Sequence, residues 1–125
     1  MKLIIDGYNL MYRLQMKADS LEKKREKLLA LLNEFLDVNG GSMTVAFDGS
    51  RNPSMHRGKE THGKIRVIYS ANGETADDVI IELIKGRKGK AKEFVVVSSD
   101  NKLINCAREN FMNAMTSDQF IEYLT

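Results

Sequence analysis

Four short runs rich in Val, Ile or aromatic residues punctuate the chain: Lys2–Ile5, Met43–Phe47, Ile65–Tyr69 and Glu93–Val97. Each is close to continuously apolar, the pattern of a strand covered on both faces. Between the first two, DSLEKKREKLLALLNEFLDVNGG places Leu21, Leu28, Leu32, Phe35 and Leu36 on one stripe at helical spacing. Asp19 and Glu22 form a capping-box pattern at its start, and Asn39-Gly40-Gly41 ends it. A second helix is expected from Thr75 to about Lys85, a third over Asn101–Asn110, and a short last one from near Ser117. Phe111–Met115 is a candidate fifth strand. Gly49–Gly63, polar and holding the only proline, Pro53, reads as a long loop of the kind that is functional or mobile.

Strands alternating with helices predict an α/β protein, a three-layer α/β/α sandwich with a mainly parallel central sheet. At 125 residues it is expected to be a single domain over 1–125. In such a sheet the carboxyl ends of the strands share one edge, where ligands bind. Three of the runs stop at an acid: LIID at Asp6, TVAFD at Asp48 and FVVVSSD at Asp100. The helix that opens GETADDVIIELI adds a fourth. Asp78, third after Thr75, is explained by a capping box. Asp77 is not, because at ~100° per residue it falls between Ile81 and Ile84 on the apolar arc. Its bland account is a dipole contact in the first helical turn.

Two carboxylates ~5 Å apart repel by about 3 kcal/mol at an effective dielectric near 20. Converging acids therefore need a neutralising partner. Arg51 and Lys102 lie close in sequence to Asp48 and Asp100 and could provide it. The alternative is a divalent cation, and an all-oxygen donor set favours Mg²⁺ or Mn²⁺.

Composition narrows the setting. One cysteine, Cys106, allows no internal disulfide and fits a reducing cytosol, and no stretch approaches the ~18 apolar residues of a membrane span. A cytoplasmic protein without membrane attachment is the expectation. The net charge of +2 is small, but Lys85-Gly86-Arg87-Lys88-Gly89-Lys90-Ala91-Lys92 holds five cations in eight residues. Arg51, Arg57, Lys59, Lys64 and Arg66 form a second cluster. Arg51, Arg57, Lys59, Arg87, Lys88 and Lys90 are the candidate phosphate contacts, with solvated loops as the plainer account. His56 and His62 lack nearby ligands at zinc spacing. Tyr8 can stack on a base or pack in the core, core packing is the better account of Tyr12, and Cys106 is expected to be buried.

IIDGYNLMY, VAFDGS, GETADDVI and VVVSSDN, in that order, resemble the NYN domain, and within it the YacP-like family of PIN-related ribonucleases. The resemblance spans Lys2 to about Asn101. It implies a PIN-like sandwich and metal-dependent endonucleolytic cleavage of RNA, with translation as a candidate context. It assigns Asp6, Asp77 and Asp100 as metal ligands, Asp48 as a fourth catalytic acid or supporting residue, and Asn9 as a group that orients Asp6 or touches substrate. Ser98 and Ser99, just before Asp100, could bond a phosphate or a metal water, with a turn-forming role for one of them an equally good account. Family members usually continue into a basic, helical C-terminal region, which the residues after Asp100 match poorly. A non-catalytic RNA-binding module of the same fold is the alternative. A receiver domain is disfavoured, because Asp6 is followed by no second acid and no lysine-proline pair occurs near the end.

Overall fold

Each of the four apolar runs is a strand in the computed structural model, which describes residues 1–49, 54–87 and 89–124. They are β1 (Lys2–Asp6), β2 (Ser42–Phe47), β4 (Ile65–Tyr69) and β5 (Phe94–Val97), and the candidate fifth run contributes a short β6 (Asn113–Met115). The sheet order is β3-β4-β2-β1-β5-β6, and every pairing is parallel except that of β3 with β4.

The remaining strand, β3 (Gly58–His62), lies within the stretch expected to be a loop. It is an edge strand with its three central residues exposed, so no apolar alternation announces it. Gly63 turns it into β4 at φ +61°. Asn33 secures that turn, donating to the His62 carbonyl and accepting from the Lys64 N–H, both at 2.9 Å.

Helices α1 (Gly7–Arg13), α2 (Leu21–Asn39), α3 (Ala76–Lys85), α4 (Asn101–Glu109) and α5 (Ser117–Leu124) cover the sheet. Strand residues alternate between two cores, as the pleat requires. Leu3, Ile5, Val45, Phe47, Val95 and Val97 meet Leu10, Leu28, Leu32, Leu36 and Phe120 of α1, α2 and α5. Ile4, Ala46 and Val96 meet Val79, Ile80, Ile84, Leu103 and Ala107 of α3 and α4 on the opposite face. The three-layer sandwich is therefore as expected.

Four details depart from expectation. The N-cap of α2 is Ser20, whose hydroxyl accepts the Lys23 N–H at 3.1 Å, so the Asp19–Glu22 capping box is not used. Leu21, at the frayed start, is half exposed. Tyr12 points to solvent on the short α1, and Cys106 is only half-buried.

Candidate active site

β1, β2 and β5 are neighbours, so Asp6, Asp48 and Asp100 leave the same edge of the sheet. Asp6 is the last residue of β1 and the N-cap of α1, yet its side chain makes no capping bond to that helix. Its Oδ2 instead accepts the Ser98 hydroxyl at 2.9 Å, and Ser98 Oγ accepts the Asp100 N–H at 3.0 Å. One buried serine thus couples the acid of β1 to the loop after β5.

Gly7 makes the abrupt passage from β1 into α1 possible. A Cβ there would collide with the Phe47 ring and stand 2.9 Å from the Ala46 carbonyl oxygen. Gly49, after Asp48, is pressed against Ser70 in the same manner, and its N–H donates to Ser70 Oγ at 2.8 Å.

α3 delivers the remaining acids. The Thr75 hydroxyl accepts the Asp78 N–H at 3.2 Å and Asp78 returns the bond to the Thr75 N–H at 3.0 Å, the complete capping box. Asp77 is left half-buried toward the sheet. Burial, followed by the charge of Asp100, raises its pKa.

Asp6 is only 9% exposed. Burial is the main force that pushes its pKa up to about 6; the Ser98 hydrogen bond opposes this, and the charges of Asp77 and Asp100 add to it. Asp6, Asp77 and Asp100 are thus one electrostatic cluster. Asp48 shares the edge, but it is not among the charges that shift Asp6 or Asp77.

Asp100 also caps α4, accepting the Lys102 N–H at 2.9 Å. The Lys102 ammonium forms no salt bridge among the described residues, although its charge acts on Asp77 against the carboxylates. Asn9 is a brace. Its Oδ1 accepts the Ser99 N–H at 2.9 Å and the Ser117 hydroxyl at 2.6 Å. Ser117, which the sequence did not single out, ties α5 into the rim.

Arg25 is a second residue the sequence did not mark. From α2 its guanidinium donates to the Tyr8 hydroxyl at 3.1 Å and lies 5.7 Å from the Tyr69 ring centre. Tyr8 packs on Phe47 with ring centres 4.9 Å apart, so it both packs and reaches the rim. No local signal joins residues from four different elements.

The predicted cations divide. Lys59 is exposed on β3, near the end of β4 that faces the acid edge. Arg57 is already engaged, bonding Glu74 at 3.0 and 2.7 Å and Glu82 at 2.7 Å. Glu74 is pulled down to about 2, first by Arg57 and then by the Ala71 N–H. Arg57, an expected phosphate contact, here clamps the loop that leads into α3. Arg57→Ala should destabilise the fold by about 2 kcal/mol. Glu74 titrates below its ordinary value, so the clamp's contribution is complete above about pH 4.5 and is lost as pH falls toward 2. Urea unfolding of both proteins near neutral pH and near pH 2.5 measures this difference.

Arg87 and Lys90 are not brought to the acids. α3 runs antiparallel to the strands, so the loop that follows it reaches the opposite edge, where β5 begins. Arg51 and Lys88 lie outside the described residues.

A divalent cation would find only oxygen donors in the cluster, with Ser99 Oγ buried nearby and lacking a hydrogen-bond partner. As they stand, no three His, Cys, Asp or Glu among the described residues enclose an ion position.

A mainly parallel sandwich with acids on the carboxyl edge of its central strands is consistent with a PIN-like domain. The chain belongs to the YacP-like NYN domain family, whose profile matches residues 3–125. It is 29% identical to the uncharacterized protein YacP of Bacillus subtilis (strain 168) over 102 residues, covering 78% of this chain and 59% of that relative. The chain therefore spans less than two-thirds of that relative's length. Two crystal structures of Rae1 (YacP) from Bacillus subtilis share the fold. A point mutant superposes with a TM-score of 0.79 at 23% identity, covering 98% of this chain and 74% of that one. The other gives 0.77 at 24%, covering 99% and 73%. Among the described residues no helix is long and apolar enough to cross a membrane.

Proposed function

We propose that this chain is a metal-dependent endoribonuclease whose centre is Asp6, Asp77 and Asp100, with RNA as its substrate. The observation that carries the reading is the charge cluster itself. Burial and two neighbouring carboxylates hold Asp6 near pKa 6, an arrangement that costs stability unless a cation or a reacting group uses it. Membership of the YacP-like NYN family supports a nuclease-type role.

A bound Mg²⁺ or Mn²⁺ would supply the neutralising charge, an activated water and stabilisation of the departing oxygen. The chain's own residues do the rest. Ser98 fixes the Asp6 carboxylate, Asn9 fixes the backbone at Ser99, and the α3 capping box fixes the direction of Asp77. Lys59 and the Tyr8–Arg25–Tyr69 group flank this edge, where a phosphodiester strand needs cations and ring faces. Asp48 is a supporting acid beside the cluster.

Purified protein incubated with a long single-stranded RNA and Mn²⁺ or Mg²⁺ should cut it internally, and EDTA should stop the reaction. Asp77→Asn should lower the rate about 100-fold or more while leaving the fold intact, because Asp78 keeps the helix cap. Cleavage indifferent to EDTA or to Asp77→Asn would sink the reading. RNA binding with no cleavage under any metal would favour the non-catalytic module instead.

A further inference from the structure

α4 ends in a hydrogen-bond pattern that usually calls for glycine. The Met112 N–H donates to the Ala107 carbonyl at 2.9 Å and the Phe111 N–H to the Arg108 carbonyl at 3.0 Å. These are the paired bonds of a Schellman motif, whose first residue beyond the cap is left-handed. That residue is Phe111, at φ +65°. Glycine accepts this conformation freely, whereas a side chain with a Cβ does not. Packing does not compensate, since Phe111 is 81% exposed while the next residue, Met112, is buried. The fold imposes the backbone here and has no need of the ring.

The ring lines a groove of about 630 Å³ together with Gly89, Lys90, Lys92 and Glu109. Among the described residues Lys85, Arg87, Lys90 and Lys92 have no salt-bridge partner, in contrast to Arg57. Arg87 instead lies over the Phe94 ring, 5.5 Å from its centre, with its Nε buried and unbonded. Of the two carboxylates in the groove, Glu93 is met by Lys2 at 3.7 Å. A solvent-facing aromatic bordered by uncompensated cations matches a polymer with flat base faces and regularly spaced negative charge.

We propose that this groove is a second binding site for single-stranded RNA, with a base stacked on Phe111 and adjacent phosphates on Lys90 and Lys92. The proposal rests on the ribonuclease reading in one respect, that the same strand visits both sites. α4 carries the chain about 14 Å from Asp100 to the opposite edge of the sheet, so the groove anchors the strand away from the acids. It therefore governs affinity and leaves the chemical step alone.

Phe111→Gly separates binding from stability. It should raise Tm by about 2–6 °C, because glycine suits the left-handed position. It should also weaken binding of a fluorescein-labelled oligouridylate of about 20 nucleotides roughly tenfold in EDTA, and raise KM on long RNA without lowering kcat. Phe111→Tyr keeps an aromatic face and should bind as the native protein does. The Lys90→Ala/Lys92→Ala double variant should reduce the slope of log affinity against log salt by about 1.4.

Native-like binding by Phe111→Gly would overturn the proposal, as would a loss shared by Phe111→Tyr or an unchanged salt slope. If Asp77→Asn still abolishes cleavage, the nuclease reading survives that failure. RNA bound through Phe111 but never cut would leave the groove standing and remove the catalysis. No binding by the native protein would remove the groove, and the metal-dependent cleavage assay would still decide the nuclease reading.

Discussion

Asp6→Asn should give a protein that is more stable at neutral pH and inactive. The native carboxyl titrates at about 6 in the fold against 3.8 unfolded. At about 1.4 kcal/mol per unit, the ionised group costs the fold about 3 kcal/mol. The sign follows from the direction of the shift. Well below pH 3.8 the carboxyl is protonated both folded and unfolded, and the penalty is absent; it grows as pH rises through this range and is complete above about 6. An amide carries no charge, and it can still accept the Ser98 hydroxyl bond that Asp6 accepts now. Urea unfolding should therefore show the variant ahead of the native protein near pH 7.5 and level with it near about pH 3. Millimolar Mn²⁺ should raise the Tm of the native protein and leave that of the variant nearly unmoved, since a ligand that binds only the folded state stabilises it. RNA cleavage should fall at least about 100-fold. A variant less stable at neutral pH would mean that the carboxylate is held for its hydrogen bonds, and the charge-cluster account of the site would be wrong.

The same physics explains what could be read from the sequence. The β1, β2, β4 and β5 runs are covered on both faces, so their composition alone announces them. The Thr75–Asp78 capping box is a local pattern, and once it accounts for Asp78 the neighbouring Asp77 is left needing another role. β3 was illegible because an edge strand with an exposed centre carries no apolar signal. α1 was illegible for a different reason. It is seven residues long, opens on glycine and takes its N-cap from the acid that ends β1. The Schellman turn was hidden because Phe111 occupies the place where glycine would have marked it. The basic segment after α3 was visible as charge, but its position depends on direction. A helix returning antiparallel to its strand must deliver its last residues to the edge away from the acids, so Arg87 and Lys90 cannot serve the cleft that Asp6 occupies. Arg25 and Ser117 gained their places only through packing between distant segments.

Gly7→Ala should be the most damaging single methyl at the site, and the damage should be both structural and catalytic. The added carbon would meet the Phe47 ring and lie 2.9 Å from the Ala46 carbonyl oxygen. Neither can yield easily. Phe47 is fully buried between Tyr8 and Tyr69, with ring centres 4.9 and 5.7 Å away, and Ala46 is held in the β1–β2 ladder opposite Asp6. Overpacking of this kind costs about 3 kcal/mol, read as a fall in the urea midpoint with an unchanged slope. The start of α1 must move away from β2 to accommodate the methyl, and Asp6 lies one residue before Gly7 and Asn9 two after it. Cleavage measured well below the new Tm should therefore drop too, which an overpacked site remote from the rim would not produce. Phe47→Leu provides the control. Removing the ring leaves room for the methyl, so Gly7→Ala should cost less in the Phe47→Leu background than alone, with a coupling of about 1–2 kcal/mol. Strict additivity of the two substitutions would show that the Phe47 ring is not what excludes a side chain at Gly7, and the steric account of the Gly7–Phe47 contact would fail.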